Sequence, residues 1–200
     1  GGINAKEIKQ LYNYTKNKKV NIRIAYNRRY YSSVRRVKQL LKNDGGVQSF
    51  NFEFTEWTHR KEKFVKNKKV LKNWFFANST HVVDLAFYLG GLPQKISSYV
   101  SDKIKWHHSP SIFGGSGKTK NGTIFSYNAN WKSAGRWSVE LLTSKGKYIL
   151  CPLEKLFFQS KGSLKKKEIK LKTKIDKDFK AGFYFQLKAF IDKNDSNLLS

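Results

Sequence analysis

Val47-Gln48-Ser49-Phe50-Asn51-Phe52-Glu53-Phe54-Thr55-Glu56-Trp57 alternates at period two. Successive side chains of an extended chain point to opposite faces, so Phe50, Phe52 and Phe54 share one face. The stretch predicts a strand whose aromatic side is buried. So strict an alternation argues for burial under a helix rather than for a platform that stacks nucleic-acid bases.

Moving toward the N-terminus, residues 30–41 return to helical spacing, with Val34, Val37, Leu40 and Leu41 on one stripe and Gly45-Gly46 as the stop. Residues 4–12 read as a helix opened by Asn4, and residues 20–26 alternate like a strand. A helix feeding a strand with no earlier partner strand resembles the last piece of a βα unit. Toward the C-terminus, residues 95–104, 122–132, 137–142, 147–150 and 168–171 are strand candidates. Ser144-Lys145-Gly146-Lys147 suits a hairpin turn, and residues 183–191 form a closing helix. The expected fold is α/β in the α+β sense: a large, mainly antiparallel, open-faced sheet with helices on one face, preceded by a last helix–strand unit.

The chain carries 40 Lys+Arg against 14 Asp+Glu, a formal charge of +26. Charge of that size suggests a nucleic-acid-binding module. Against that reading, the arginines are only those at 23, 28, 29, 35, 36, 60 and 136, while base recognition favours arginine. The lysines are spread along the whole chain, often beside asparagine, as on a solvated surface. Fifteen Phe, ten Tyr and five Trp supply a core. A single cysteine, Cys151, excludes an internal disulfide framework, reads as a buried inert thiol, and fits a reducing, cytoplasmic setting. No apolar run approaches the roughly 20 residues of a membrane span, and no signal peptide opens the chain. The sequence has no methionine and begins Gly1-Gly2, so it reads as a piece of a longer chain.

Asn78-Ser79-Thr80-His81-Val82-Val83-Asp84 looks like a capping cluster opening a short helix that closes on Gly90-Gly91. Spacing i to i+3 brings Asp84 within reach of His81, where a carboxylate holds an imidazole in one tautomer and raises its basicity. The plainer reading is a capped core helix with a satisfied histidine. Gly114-Gly115-Ser116-Gly117-Lys118-Thr119 imitates the end of a phosphate-binding loop, but Ile112 stands where that motif needs glycine. Trp106-His107-His108 offers adjacent histidines that point to opposite sides, with no Cys or carboxylate cluster to complete a metal site; a loop lining a pocket suits it better. No metal is expected.

Three segments occur in order: Ala25-Tyr26-Asn27-Arg28-Arg29-Tyr30-Tyr31, the 78–85 segment, and Tyr127-Asn128-Ala129-Asn130-Trp131 followed by Gly135-Arg136-Trp137. Together they resemble the C-terminal part of the glucose-fructose oxidoreductase / inositol dehydrogenase / MocA family. That resemblance implies an N-terminal Rossmann domain binding NAD or NADP and a C-terminal domain whose open sheet face packs against a partner subunit. Residues 1–27 would be the end of the dinucleotide domain, and 28–200 the substrate-binding and oligomerisation domain. The implied activity is hydride transfer from a sugar or sugar derivative, in a soluble homo-oligomer that meets no membrane.

By the same resemblance His81 is the catalytic histidine. Asn78, Arg28, Trp131 and Arg136 line the sugar pocket, and Tyr26, Asn27 and Arg28 lie near the cofactor. Asp84 gives structural support. Two departures stand out: Ala77 replaces an aspartate common in the family, and neither the G-x-G-x-x-G loop nor the Glu-Lys-Pro motif with its lysine is present. The 200 residues alone are therefore expected to bind NAD(P) weakly and to turn over nothing. The competing classes are a basic nucleic-acid-binding module and a non-catalytic dimer scaffold.

Overall fold

The computed structural model describes residues 4–192 and 197–199. The aromatic alternation forms strand β1, Ser49–Glu53, and the same face continues through Phe54. Phe50, Phe52 and Phe54 are all buried. Burying one such ring is worth about 2–3 kcal/mol. Around β1 the strands are β2 Pro93–Ser101, β3 Ile112–Thr119, β4 Ile124–Asn130, β5 Ser138–Leu142, β6 Gly146–Leu150, β7 Phe157–Ser160 and β8 Lys167–Glu168. They make one eight-stranded sheet in the order β2-β3-β4-β1-β5-β6-β7-β8. Among the described residues only the β1–β4 pairing is parallel, and the other strand pairings are antiparallel.

The helices are α1 Ala5–Thr15, α2 Ser32–Asn43, α3 Thr58–Phe64, α4 Lys68–Lys72, α5 Thr80–Gly90, α6 Lys174–Asp178 and α7 Phe183–Asp192. Helix α5 lies across β1 and β5. Val82, Leu85 and Ala86 are fully buried there, with the Phe87 ring set edge-on to Phe50. Helix α2 adds Val34, Val37 and Leu41 to the same core. The opposite face of the sheet carries Asn51, Ser126, Asn128 and Glu140 and is uncovered, as the α+β layer requires.

Two local expectations, the strand at residues 20–26 and the buried Cys151, differ from the structure, while helix α1 is as expected. Residues 20–26 form no strand: among the described residues the segment makes a single bridge, Ile24 to Leu199. A strand needs a neighbour for its N–H and C=O groups, and among the described residues no other strand pairs with it. Helix α1 is present, capped by Asn4 accepting from Glu7 N–H at 2.9 Å, but buries no residue. The glycine-rich run 114–119 lies in strand β3, in keeping with the rejection of a phosphate-binding loop there. Cys151 is exposed rather than buried, because it sits just beyond the end of β6.

Candidate active site

His81 sits at the start of α5, but not behind a capping cluster. A π-helical turn, Phe75–Ser79, runs straight into α5 with Ser79 in helical backbone conformation and no side-chain cap. Backbone carbonyls of that turn, those of Phe75 and Asn78, accept from Thr80 N–H instead. Single π turns of this kind mark functional positions in many helices. Asn78 and Ser79, freed from capping, donate to one oxygen of Glu56: Asn78 Nδ2 to Oε1 at 2.9 Å and Ser79 Oγ at 2.8 Å. Glu56 is 1% exposed, and its other oxygen has no partner. Its position follows from β1: two residues after Phe54, it continues the inward-facing register. An acid at an inward position of an aromatic strand was the signal that could have found it.

The His81 imidazole is half-buried, its Nδ1 has no hydrogen-bond partner, and the Tyr26 ring stands edge-on at 5.2 Å. A cavity of about 250 Å³ lies beside it, lined among others by Tyr26, Phe76, Ala77 and Thr80. Burial, reinforced by the positive charge of Arg28, pushes the imidazole down to about 4. His81 is therefore neutral at pH 7. Asp84 does not assist it: both its oxygens are taken by Arg29, so the expected rise in basicity is reversed. Arg29 also donates to the Asn197 carbonyl at 3.0 Å. Burial works against its charge, but the Asp84 carboxylate outweighs that and holds the guanidinium above its usual pKa.

Arg28 and Arg136 come together on Trp137, their guanidinium carbons 5.0 and 5.4 Å from its ring centre. Arg28 Nη1 donates to Asn27 Oδ1 at 3.0 Å, while its Nε has no partner. Arg136 also stacks on Trp57, 4.8 Å away. Tyr26, Arg28, Asn78 and His81 thus share one neighbourhood, with Arg136 reaching it through Arg28. Two expectations need correction. Trp131 is 1% exposed, wedged against His107 and Phe113 with Nε1 bound to the Phe54 carbonyl, so it supports the core and presents no surface to a sugar. Asn27 is 3% exposed and spends its amide on the Ala181 carbonyl and on Arg28, which leaves nothing for a cofactor.

His107 is buried and structural: its ring bonds the Ser109 carbonyl at 3.0 Å and accepts from Phe75 N–H at 3.3 Å, while His108 is exposed. Rather than lining a pocket, it braces the π turn. Among the described residues no group of three His, Cys, Asp or Glu is placed to hold a metal, and no helix is long and apolar enough to cross a membrane.

No family model matches the sequence, and no curated protein matches it either. Solved structures do. A UDP-N-acetylglucosamine 3-dehydrogenase, GnnA from Acidithiobacillus ferrooxidans, superposes with a TM-score of 0.69 at 10% identity, over 98% of this chain and 61% of that one. The dehydrogenase MviM from Clostridium difficile gives 0.69 at 18% identity, over 98% and 60%. Levoglucosan dehydrogenase in complex with NADH and levoglucosan gives 0.65 at 17% identity, over 84% and 52%. These likenesses show the fold. The chain spans between about half and three fifths of those structures' length.

Proposed function

We propose that the chain is the sugar-binding domain of an NAD- or NADP-dependent oxidoreductase of the glucose-fructose oxidoreductase / inositol dehydrogenase / MocA type. Residues 28–200 are the substrate-binding and oligomerisation domain, and residues 1–27 are the end of the dinucleotide-binding domain. The observation that carries this is His81: a neutral imidazole just after a π turn, beside a cavity and close to Arg28, on a helix packed across a sheet like that of a sugar dehydrogenase.

The residues present fit only part of a nicotinamide site. Tyr26 borders the cavity beside His81, while the unpartnered Nε of Arg28 is buried. The phosphates find no cradle here, since no G-x-G-x-x-G occurs and the glycine-rich run is strand β3. When bound, a nicotinamide supplies the hydride acceptor. The chain's own contribution is the proton. Neutral His81 accepts a hydrogen bond from the reacting hydroxyl and takes its proton as the carbonyl forms. A pKa of about 4 keeps the imidazole neutral, the form that accepts a proton. Arg28 and Arg136 orient the sugar, and Asn78 holds the His81 turn through Glu56.

The uncovered sheet face, with exposed Tyr99 and Ile124 beside its serines and asparagines, is the surface for a second copy in a cytoplasmic homo-oligomer. The test is NAD(P)H formation at 340 nm with a panel of sugars, in protein that includes the dinucleotide-binding domain. Sugar-dependent reduction supports the proposal; none with any sugar refutes it.

A further inference from the structure

We infer that the substrate held beside His81 is an anionic sugar derivative, bearing a carboxylate or phosphate that is bound by Arg28 and Arg136. This rests on the reading of the site as that of a sugar oxidoreductase. Two guanidinium groups converge on one indole, Trp137, which is 5% exposed. Like charges brought together out of water repel unless a counter-ion joins them.

Among the described residues the protein supplies none at ion-pair distance: its ion pairs use Arg29 and lysines only. Glu56 and Glu154 are felt by Arg28, yet burial and Arg136 still leave its pKa lowered. One oxygen of Glu56 is already occupied by Asn78 and Ser79, and the residue forms no ion pair with Arg28. Two buried N–H donors at this place, Arg28 Nε and Trp137 Nε1, have no partner in the protein.

Arg136 is also set in place beforehand. Its backbone N–H donates to Glu53 Oε1 at 3.2 Å, and the Trp57 indole it stacks on is fixed by a 2.9 Å bond to the Gly135 carbonyl. A planar fork held in position is the geometry that takes up a carboxylate or phosphate through two parallel hydrogen bonds. A neutral sugar leaves both charges uncompensated. A charged one neutralises them.

The test is calorimetric titration of the 200-residue chain with glucuronate, glucose 6-phosphate and glucose, in about 150 mM salt to suppress general charge effects. At least one anionic sugar binds about tenfold or more tighter than glucose, and its identity separates carboxylate from phosphate. Arg136→Gln removes most of that preference, Arg136→Lys keeps part of it by retaining the charge, and Lys165→Gln on the distant surface leaves it unchanged. Equal binding of glucose, no binding of either anion, or an equal loss with Lys165→Gln overturns the inference. Turnover keeps the two readings apart: equal hydride transfer from neutral sugars refutes the charge preference alone, and anion preference without any turnover refutes the oxidoreductase reading alone.

Discussion

Arg29 grips both oxygens of Asp84, with Nε at 2.8 Å and Nη2 at 2.5 Å. The two lie 55 residues apart in sequence, and their side chains are each 11% exposed. The pair ties the turn Asn27–Tyr30 to α5 and so fixes Tyr26 and Arg28 relative to His81. The carboxylate one turn after the histidine is a tether, not a catalytic partner.

Removing one member of a nearly buried pair strands the other charge. Asp84→Ala is expected to lower stability by about 3 kcal/mol, read from urea unfolding midpoints. Because Asp84 does not touch the imidazole, Asp84→Asn should leave the His81 pKa, followed by NMR, close to its value in the parent chain.

Glu56 holds the π turn by two side-chain bonds. Glu56→Ala leaves Asn78 Nδ2 and Ser79 Oγ without their acceptor, but it also removes a buried, half-satisfied carboxylate. The net loss is expected to be about 1–3 kcal/mol in the same urea experiment. Amide exchange around residues 75–81 should quicken more than elsewhere.

His81 makes stability depend on pH with a definite sign. Its folded pKa, about 4, lies below the ordinary 6.5. Above pH 6.5 neither state holds the proton. As pH falls from 6.5 to 4 the unfolded chain takes up a proton that the folded chain refuses, so stability declines, and the decline ends below 4. His81→Gln removes this component. The difference in unfolding free energy between parent and variant should shift between pH 6.5 and 4 and stay flat above 7.

Gly90 ends α5 directly over Phe50, and a Cβ there would lie inside the ring. Gly90→Ala forces the helix end off β1 and is expected to cost about 1–3 kcal/mol, seen as a lowered melting temperature.

Much of the fold is legible because it repeats locally. Period two marks Phe50, Phe52 and Phe54, and helical spacing marks Val34, Val37 and Leu41. Strand β3 is not legible this way. Its Gly115 and Gly117 show no apolar alternation, and glycine stands there because the Tyr127 and Phe125 rings of β4 occupy the space of any Cβ. The strand is defined by its neighbours. Residues 20–26 fail in the opposite direction: the pattern is right, but almost nothing runs beside it. At the site, His81, Arg28, Arg136 and Tyr26 are pointed to by the family resemblance and not by any local periodicity. The Arg29–Asp84 and Glu56–Ser79 contacts join residues 55 and 23 apart, and no local pattern carries them.

The central claim is that His81 handles the proton of a sugar hydroxyl during hydride transfer. Its most direct test is the steady-state rate of NAD(P)+ reduction by protein that includes the dinucleotide-binding domain, with His81 against His81→Gln. The variant should lose about a hundredfold or more in kcat while the cofactor KM stays within about threefold. An unchanged kcat would contradict the account and leave His81 as a packing residue of α5.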